Sequence, residues 1–459
     1  MGEAIGAREL IGTLCGDFEE FEAPHVGSAR AASADGPLGW PGYDGQRRRA
    51  AARTGAEESV LCGHGTLGAD RAVLIAFDFG FLGGSVGEEA GARVVAAFEQ
   101  ARERRLPVVS LVASGGSRMQ EGIRALVQLQ AIARACLLTR QARIPHITVL
   151  RNPTTGGMWA ALAAGADIVL AAPEVAVAFG GSRVRSATET GEAFTAEGKF
   201  ADGQVDRLVA DEELPAALAE LVGLLHPQRL ACSPDPAEVP ESFRSSDSPS
   251  SAAGSAPETG WDAVERARAA NRPHAADYLD RYFTSRFELS GDRAGGTDSG
   301  MLCGIGEHDG RPVAYAAQAG TANTPAGFRT AARLIRLADQ LGLPVLTLVD
   351  TPGAANDAAA ERAGAGAAIG QLFTAVAEAR VPITTLVIGE GGSGGALALA
   401  APDSTWITAD AYFAVIAPES SASILKEPPE NVPALADRLK LRPQDLLELG
   451  FVQGVVPPS

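Results

Sequence analysis

Apolar positions along this chain alternate between two rhythms, one suited to buried strands and one to amphipathic helices. The run Ala72–Phe81 suits strands, Gly91–Glu103 spaces its apolar residues as a helix does, and Val108–Ala113 is a short, continuous apolar stretch. A strand covered on both faces needs a stretch of that last kind. Met119–Thr139 then reads as one long helix, Ile147–Leu150 as a strand, and Met158–Ala164 as the start of another helix. Ile168–Ala171 and Val175–Phe179 follow as strands. Such alternation predicts a layered α/β domain.

The rhythm is then repeated. Leu106-Pro107, the apolar strand behind it and Ser114-Gly115-Gly116 return 237 positions later as Leu343-Pro344, a second strand and Thr351-Pro352-Gly353. Ile144-Pro145 leading to Pro153-Thr154-Thr155-Gly156-Gly157 is echoed by Val381-Pro382 leading to Gly391-Gly392-Ser393-Gly394-Gly395. Between the copies, Pro234, Pro236, Pro240 and the Ser-rich stretch from Ser245 bury too little apolar surface to order themselves. The chain therefore divides into a first domain, 1–225, a flexible linker, 226–259, and a second domain, 260–459. Its 459 residues exceed the size at which one core stops growing. Before the first repeat the chain reads as a helical start followed by an irregular passage, with Arg47-Arg48-Arg49 as a solvated turn or a phosphate contact. After the linker comes a helical lead-in to about Asp280, and near the end two helices, Pro433–Leu439 and Pro443–Leu449.

Composition removes several classes of function. A formal charge of −17 argues against non-specific nucleic-acid binding, which needs a basic face. No apolar run of about eighteen residues escapes a charge or breaker, so no membrane span is expected, and the N-terminus lacks a secretion signal's basic start and apolar core. The chain reads as cytoplasmic. Its five cysteines are odd in number and widely spaced, which supports neither a disulfide framework nor a structural zinc site. Lys199, Lys426 and Lys440 are the only lysines, and none lies in the Met-Lys-Met setting of a biotin-accepting residue.

Three loop patterns match the glycine-dense segment Gly389–Gly395. The dinucleotide fingerprint G-x-G-x-x-G is met without its acidic partner, and the Walker pattern fails at Ala396. A nucleophile elbow centred on Ser393 needs a histidine after it, yet His308 is the last in the chain. What remains is physical. A strand that breaks into glycines at a helix start aims backbone N–H groups, and the positive end of the helix dipole, at one spot. Such a turn stabilises an enolate or oxyanion without a side-chain acid, and glycine lets the ligand approach closely. Two such turns in each repeat imply one reaction with two oxyanions to hold.

Longer motifs carry a resemblance. Phe77–Gly87, Ala113–Glu121 and Pro153–Gly157 resemble the β subunit of the acetyl-CoA carboxylase carboxyltransferase. Trp261, Gly291–Arg293, Asp350–Gly353, Gly389–Ala396, Pro418-Glu419 and Ser423–Leu425 resemble its α subunit. The chain is thus similar to a β–α fusion over nearly its whole length outside the linker. The resemblance implies a crotonase-type ββα spiral in each half, and an active site between an N-half and a C-half, often of different protomers. It also implies transfer of a carboxyl group from N-carboxybiotin, held on a separate carrier protein charged by a biotin carboxylase, to the α-carbon of an acyl-CoA such as acetyl-CoA.

By the same resemblance Gly156 and Gly157 hold the thioester enolate oxygen, and Gly394 and Gly395 the ureido oxygen of biotin. Gly115, Gly116 and Gly353 fall in the substrate-binding set, with Arg118 and Arg183 as candidates for the CoA phosphates. Arg118 has a second reading, a salt bridge to Glu121 across a helix start. Glu361-Arg362 match a charged pair without an assigned role. No metal or catalytic histidine is required, and a homodimer or larger homo-oligomer is implied.

The chain also departs from the family. The β subunit's four-cysteine zinc ribbon is absent from these 459 residues. The basic insertion expected between Gln318 and Gly327 is reduced to Ala319–Ala326, and the segments Thr351–Asp357 and Phe179–Val184 differ from the family pattern. These changes leave the acyl group open. They also leave standing a second reading, a biotin-independent decarboxylase or enolate-forming enzyme for malonyl-type thioesters, and a third, a non-catalytic scaffold or regulatory subunit.

Overall fold

A computed structural model describes residues 5–24, 35–181, 191–230, 234–243 and 256–457. It divides into two compact units, Met1–Leu230 and Ala231–Ser459. Among the described residues each unit is built on one eight-stranded sheet.

In the first unit the strands are β1 (Glu19–Glu20), β2 (Val60–Leu67), β3 (Asp70–Phe77), β4 (Val108–Ser114), β5 (His146–Thr155), β6 (Ile168–Ala171), β7 (Val177–Ala178) and β8 (Arg207–Leu208). They lie in the order β1-β2-β3-β4-β5-β6-β8, with β7 against the end of β5. An antiparallel hairpin of β2 and β3 opens the sheet, and parallel pairing follows from β3 to β6. Parallel strands need crossovers, and helices supply them. The helix Glu88–Arg104 is the first. Its buried residues Ala90, Val94, Ala97, Phe98 and Ala101 recur at three- and four-residue spacing and join the core made by β3, β4 and β5.

The second unit repeats the plan with β9 (Ser285–Glu288), β10 (Met301–His308), β11 (Arg311–Gln318), β12 (Val345–Thr351), β13 (Ile383–Gly392), β14 (Thr405–Thr408), β15 (Tyr412–Ala414) and β16 (Gly454–Val456). Their order is β16-β14-β13-β12-β11-β10-β9, with β15 against the end of β13. The register repeats as well. Val108 pairs with His146 in the first sheet, and Val345, 237 positions on, pairs with Ile383 in the second. Both central ladders shift register one residue before the strand end, between Val112 and Ser114 and between Val349 and Thr351.

Three sequence expectations change. The long helix expected over Met119–Thr139 is broken into a 3-10 turn (Met119–Glu121), a short helix (Ile123–Leu126) and the helix Gln128–Gln141. Gly122 causes the break: at φ 55°, ψ −132° it sits where side chains are strained, and a Cβ there would lie 2.7 Å from Leu38. The Arg47–Arg49 cluster lies on a helix, Tyr43–Thr54, and Arg47 pairs with Glu89 at 2.9 Å and Glu58 at 3.4 Å. Finally, part of the segment expected to be linker is packed. Ala237 is buried and its carbonyl accepts a hydrogen bond from Thr384 Oγ1 of β13, while the Glu238 carbonyl accepts one from Tyr282.

Candidate active site

Both sheets prepare the same kind of turn at the carboxyl ends of their two central strands. In the first unit, Ser114 ends β4. Its hydroxyl donates to the Gly84 carbonyl at 2.7 Å and accepts from the Gly116 amide at 3.1 Å. That pins Gly116 at φ 104°, a conformation glycine adopts freely. Beside it β5 ends at Thr155 and the chain turns through Gly156, at φ 68°, into a helical turn that opens at Gly157. The two loops press together so closely that a Cβ on Gly156 would sit 3.1 Å from the Gly116 Cα. Side chains are excluded here by backbone, and backbone cannot step aside.

The second unit reaches the same geometry with different residues. Thr351 ends β12, and its hydroxyl donates to the Thr321 carbonyl at 2.7 Å and accepts from the Gly353 amide at 3.1 Å. Ser114 and Thr351 stand 237 positions apart and make the same contact two residues on. β13 ends at Gly392, Ser393 turns the chain at φ 57°, and the helix Ser393–Leu397 begins. Thus Ser393, and not Gly394, occupies the place of Gly156. Gly394 corresponds to Gly157, and Gly395 to Met158.

By place in the repeat, then, Gly157 and Gly394 match each other, while Gly156 and Gly395 have Ser393 and Met158 as their counterparts. The Gly156 amide is already committed, donating to the Ala178 carbonyl at 3.1 Å, and the Gly115 amide donates to Gly83 at 2.9 Å. Helices leave their first amides without intrahelical acceptors, and Gly157 and Gly394 are the matching residues that lie in the first turn in both units. Gly395 is also closely packed, since a Cβ there would lie 2.5 Å from the Ala354 nitrogen. Gly394 is different: nothing lies within 4 Å of the position its Cβ would take.

Ser393 is exposed in the strand-to-helix turn and holds a left-handed conformation that costs an L residue about 1–2 kcal/mol. Ser393→Gly should therefore raise stability by roughly 1 kcal/mol in denaturant titration and leave turnover unchanged. A collapse of turnover would restore the hydroxyl to the chemistry.

Arg118 requires a correction. Its side chain is wholly buried, paired through Nη2 with Glu58 Oε1, with Nη1 at 2.9 Å from Glu58 Oε2 and 3.4 Å from Glu121 Oε1. Nη2 also donates to the Ser59 hydroxyl at 3.1 Å and the Ser85 carbonyl at 2.6 Å. Such a guanidinium has no donor to offer a phosphate, so the salt-bridge reading holds, with Glu58 as chief partner. Burial pushes the Glu58 carboxyl up, but the Arg118 hydrogen bonds and charge outweigh it and hold the group below the usual glutamate range. Glu121 completes the unit. It accepts from Tyr43 Oη at 2.5 Å and from the Glu88 amide at 2.6 Å, where it caps the first turn of Glu88–Arg104. Arg183 lies outside the described residues.

A comparable frame braces the second turn. Asp350, fully buried beside Thr351, takes Arg272 Nη2 at 2.7 and 2.8 Å and the Glu390 amide at 3.2 Å. Arg268 joins Glu390 at 2.7 Å to Glu419 at 2.6 Å, and Tyr412 Oη donates to Glu390 at 2.8 Å. Sequence reasoning quoted Asp350 and Glu419 as motif members and missed Arg268, Arg272 and Gln318. The one readable signal was a hydroxyl two residues before a glycine in both repeats, at Ser114 and Thr351.

Other titratable groups are poor candidates for chemistry. His146 is buried on β5 against Ser110, and burial pushes its pKa down to about 3, so it stays neutral. Burial raises the Cys62, Cys136 and Cys303 thiols to about 12, which keeps them unreactive at neutral pH. Glu238, His308 and Asp309 come together at the β10–β11 turn, at the opposite end of β11 from the glycine turns, and both carboxylates are exposed. Among the described residues no helix is long and apolar enough to cross a membrane.

Comparison with known proteins gives this geometry a context. Residues 255–459 match the family model described as acetyl co-enzyme A carboxylase carboxyltransferase-like. Over 88% of its length the chain is 38% identical to the acetyl-coenzyme A carboxylase carboxyl transferase subunits beta/alpha of Salinispora tropica, covering 74% of that protein. To the protein of the same name from Saccharopolyspora erythraea it is 36% identical, over 98% of this chain and 80% of the other. Among solved structures, the transcarboxylase 12S hexamer with methylmalonyl-coenzyme A bound superposes with a TM-score of 0.76 at 22% identity, covering 98% of this chain and 86% of that one. A single-chain, multi-domain long-chain acyl-CoA carboxylase gives 0.73 at 20% identity, over 98% of this chain and 44% of that one. These neighbours bear out the crotonase-type fold in both units.

Proposed function

The chain belongs to the acetyl-CoA carboxylase carboxyltransferase family and is an acyl-CoA carboxyltransferase, and we propose that it moves a carboxyl group between biotin on a separate carrier protein and the α-carbon of acetyl-CoA, giving malonyl-CoA. The observation that carries this reading is the recurrence, at a spacing of 237 residues, of a strand-to-helix turn that carries Gly157 in one unit and Gly394 in the other.

When bound, carboxylated biotin would supply both the carboxyl group and, through the ureido nitrogen that group leaves, the acceptor for the α-proton. The chain's own part is to hold charge. The Gly157 turn receives the thioester oxygen, which becomes enolate-like as the α-proton leaves, and preorganised amides stabilise that charge better than they do the ground-state carbonyl. The Gly394 turn receives the ureido oxygen. Its fit to a planar ring rests on the absence of any neighbour at the Gly394 Cβ position, which leaves room for close approach. Neither role needs a side-chain acid or base. A biotin carboxylase is the implied partner that charges the carrier, the cytoplasm is the implied compartment, and the assembly is a homodimer or larger homo-oligomer.

The test is reverse transfer. Purified full-length protein with malonyl-CoA and free biotin should form acetyl-CoA in a biotin-dependent manner. Release of CO2 without biotin would favour the decarboxylase reading, and absence of both would leave only a scaffold.

A further inference from the structure

Gln318 ends β11, is fully buried, and belongs to neither glycine turn. Its Nε2 donates to the Gly395 carbonyl at 3.0 Å, which ties it to the first turn of Ser393–Leu397. Because a carbonyl must face a donor, that contact fixes which end of the amide is nitrogen. The Oε1 atom is then left buried with no partner among the described residues.

An orphaned carbonyl is costly inside a protein, and native folds rarely keep one. The fold itself does not ask for it. β3 and β11 hold the same place in their sheets, since Val73 pairs with Val108 as Ala314 pairs with Val345. Counted from those pairs, the residue matching Gln318 is Phe77, a member of the apolar core. The residue matching Gly395 is Met158, a member of the same core. One repeat thus has apolar core residues at both places, and the other uses a directed hydrogen bond and tolerates an unpaired oxygen. A polar group kept at a cost, where its structural twin is a phenylalanine, marks a local demand for position.

We propose that Gln318 is a positioning residue for the carrier-side half of the reaction. It does not touch the donor. By holding the Gly395 carbonyl it sets the axis of the helix start, and so the direction of the Gly394 amide toward the ureido oxygen. The proposal rests on the assignment of that oxygen to this turn. Gly395 contributes by its small size, letting the Gly353–Ala354 backbone approach the turn closely. The Asn323 amide donates to the Gly353 carbonyl at 3.2 Å.

Gln318→Met keeps the length and removes both the donor and the unpaired oxygen. In full-length protein assayed with malonyl-CoA and free biotin, kcat for biotin-dependent acetyl-CoA formation should fall about 10²-fold, as small misplacements of a catalytic group do. The melting temperature and the KM for malonyl-CoA should stay at wild-type values. A role confined to packing would instead lower the melting temperature and leave kcat alone, and wild-type kcat in the variant overturns the proposal. Gln318→Leu is the second variant. If neither it nor Gln318→Met folds, the proposal is also overturned, because the carboxamide is then a fold requirement. A wild-type protein that does not carboxylate biotin overturns the carboxyltransferase reading first, and this inference with it; an active wild type beside an unaffected variant overturns this inference alone.

Discussion

Gly394→Val should abolish biotin-dependent transfer while leaving the protein folded. The expectation follows from two facts about one position. Apart from its chain neighbours and its own helix backbone, no described residue has an atom within 4 Å of the place a Cβ would occupy, and Gly394 is not among the residues with positive φ, so the first carbon of a side chain meets neither a clash nor a backbone penalty. Replacing glycine inside a helical turn even favours the fold slightly. The methyl groups would fill the space from which a ligand oxygen must approach the amide. Losing one such donor costs about 10²–10³ in turnover elsewhere, and a blocked approach should cost at least that. Thermal unfolding and turnover measured on one preparation decide the matter. A variant of wild-type stability and wild-type rate would show that no ligand comes to this turn.

The same substitution at neighbouring glycines would be uninformative, and the contrast gives the prediction its force. At Gly395 a Cβ lies 2.5 Å from the Ala354 nitrogen, and at Gly157 it lies 2.5 Å from the Leu129 side chain. Loss of activity there mixes packing damage with blocked binding. Gly394 separates the two.

Much of this arrangement was legible in the chain, because duplicated strands announce themselves. The apolar runs at Val108 and Val345, each preceded by Leu-Pro, fixed two parallel strands, and their 237-residue spacing survives in the ladder register. What a repeat in sequence cannot say is which atoms are already spent. The pairing of Gly156 with Gly394 looked natural because both stand first in a Gly-Gly pair. The backbone shows that Ser393 fills the place of Gly156, since a left-handed residue is needed there and serine tolerates the cost. The Gly156 amide is committed to Ala178, on β7, a two-residue strand that local pattern cannot foresee. Gln318 was invisible for a related reason. A glutamine at a strand end looks like surface until its burial and its bond to Gly395, 77 residues away, are known.

Arg118 shows how far a motif can mislead when charge is read without burial. Its segment is one of those that carry the resemblance to the family, and an arginine beside a glycine turn invites a phosphate. The structure surrounds it instead with Glu58, Glu121, Tyr43 and Ser59. Arg118→Met should therefore be a stability variant. Removing the cation takes the guanidinium from the buried Glu58 and Glu121 carboxylates, and breaking a buried ion pair by removing one partner costs about 3–5 kcal/mol. Arg118→Lys should recover little, because a point charge cannot serve Glu58, Ser59 and the Ser85 carbonyl at once. The sign with pH also follows. Glu58 titrates lower in the folded protein than in the unfolded chain. Its contribution is thus complete above the unfolded glutamate pKa, near 4.3, and fades as pH falls through the lower folded value; in Arg118→Met that acid limb should reverse, with protonation of the Glu58 carboxylate restoring stability. Denaturant titrations of wild type and variant at neutral and acid pH measure both effects. Wild-type stability with a raised KM for acyl-CoA would return Arg118 to the substrate.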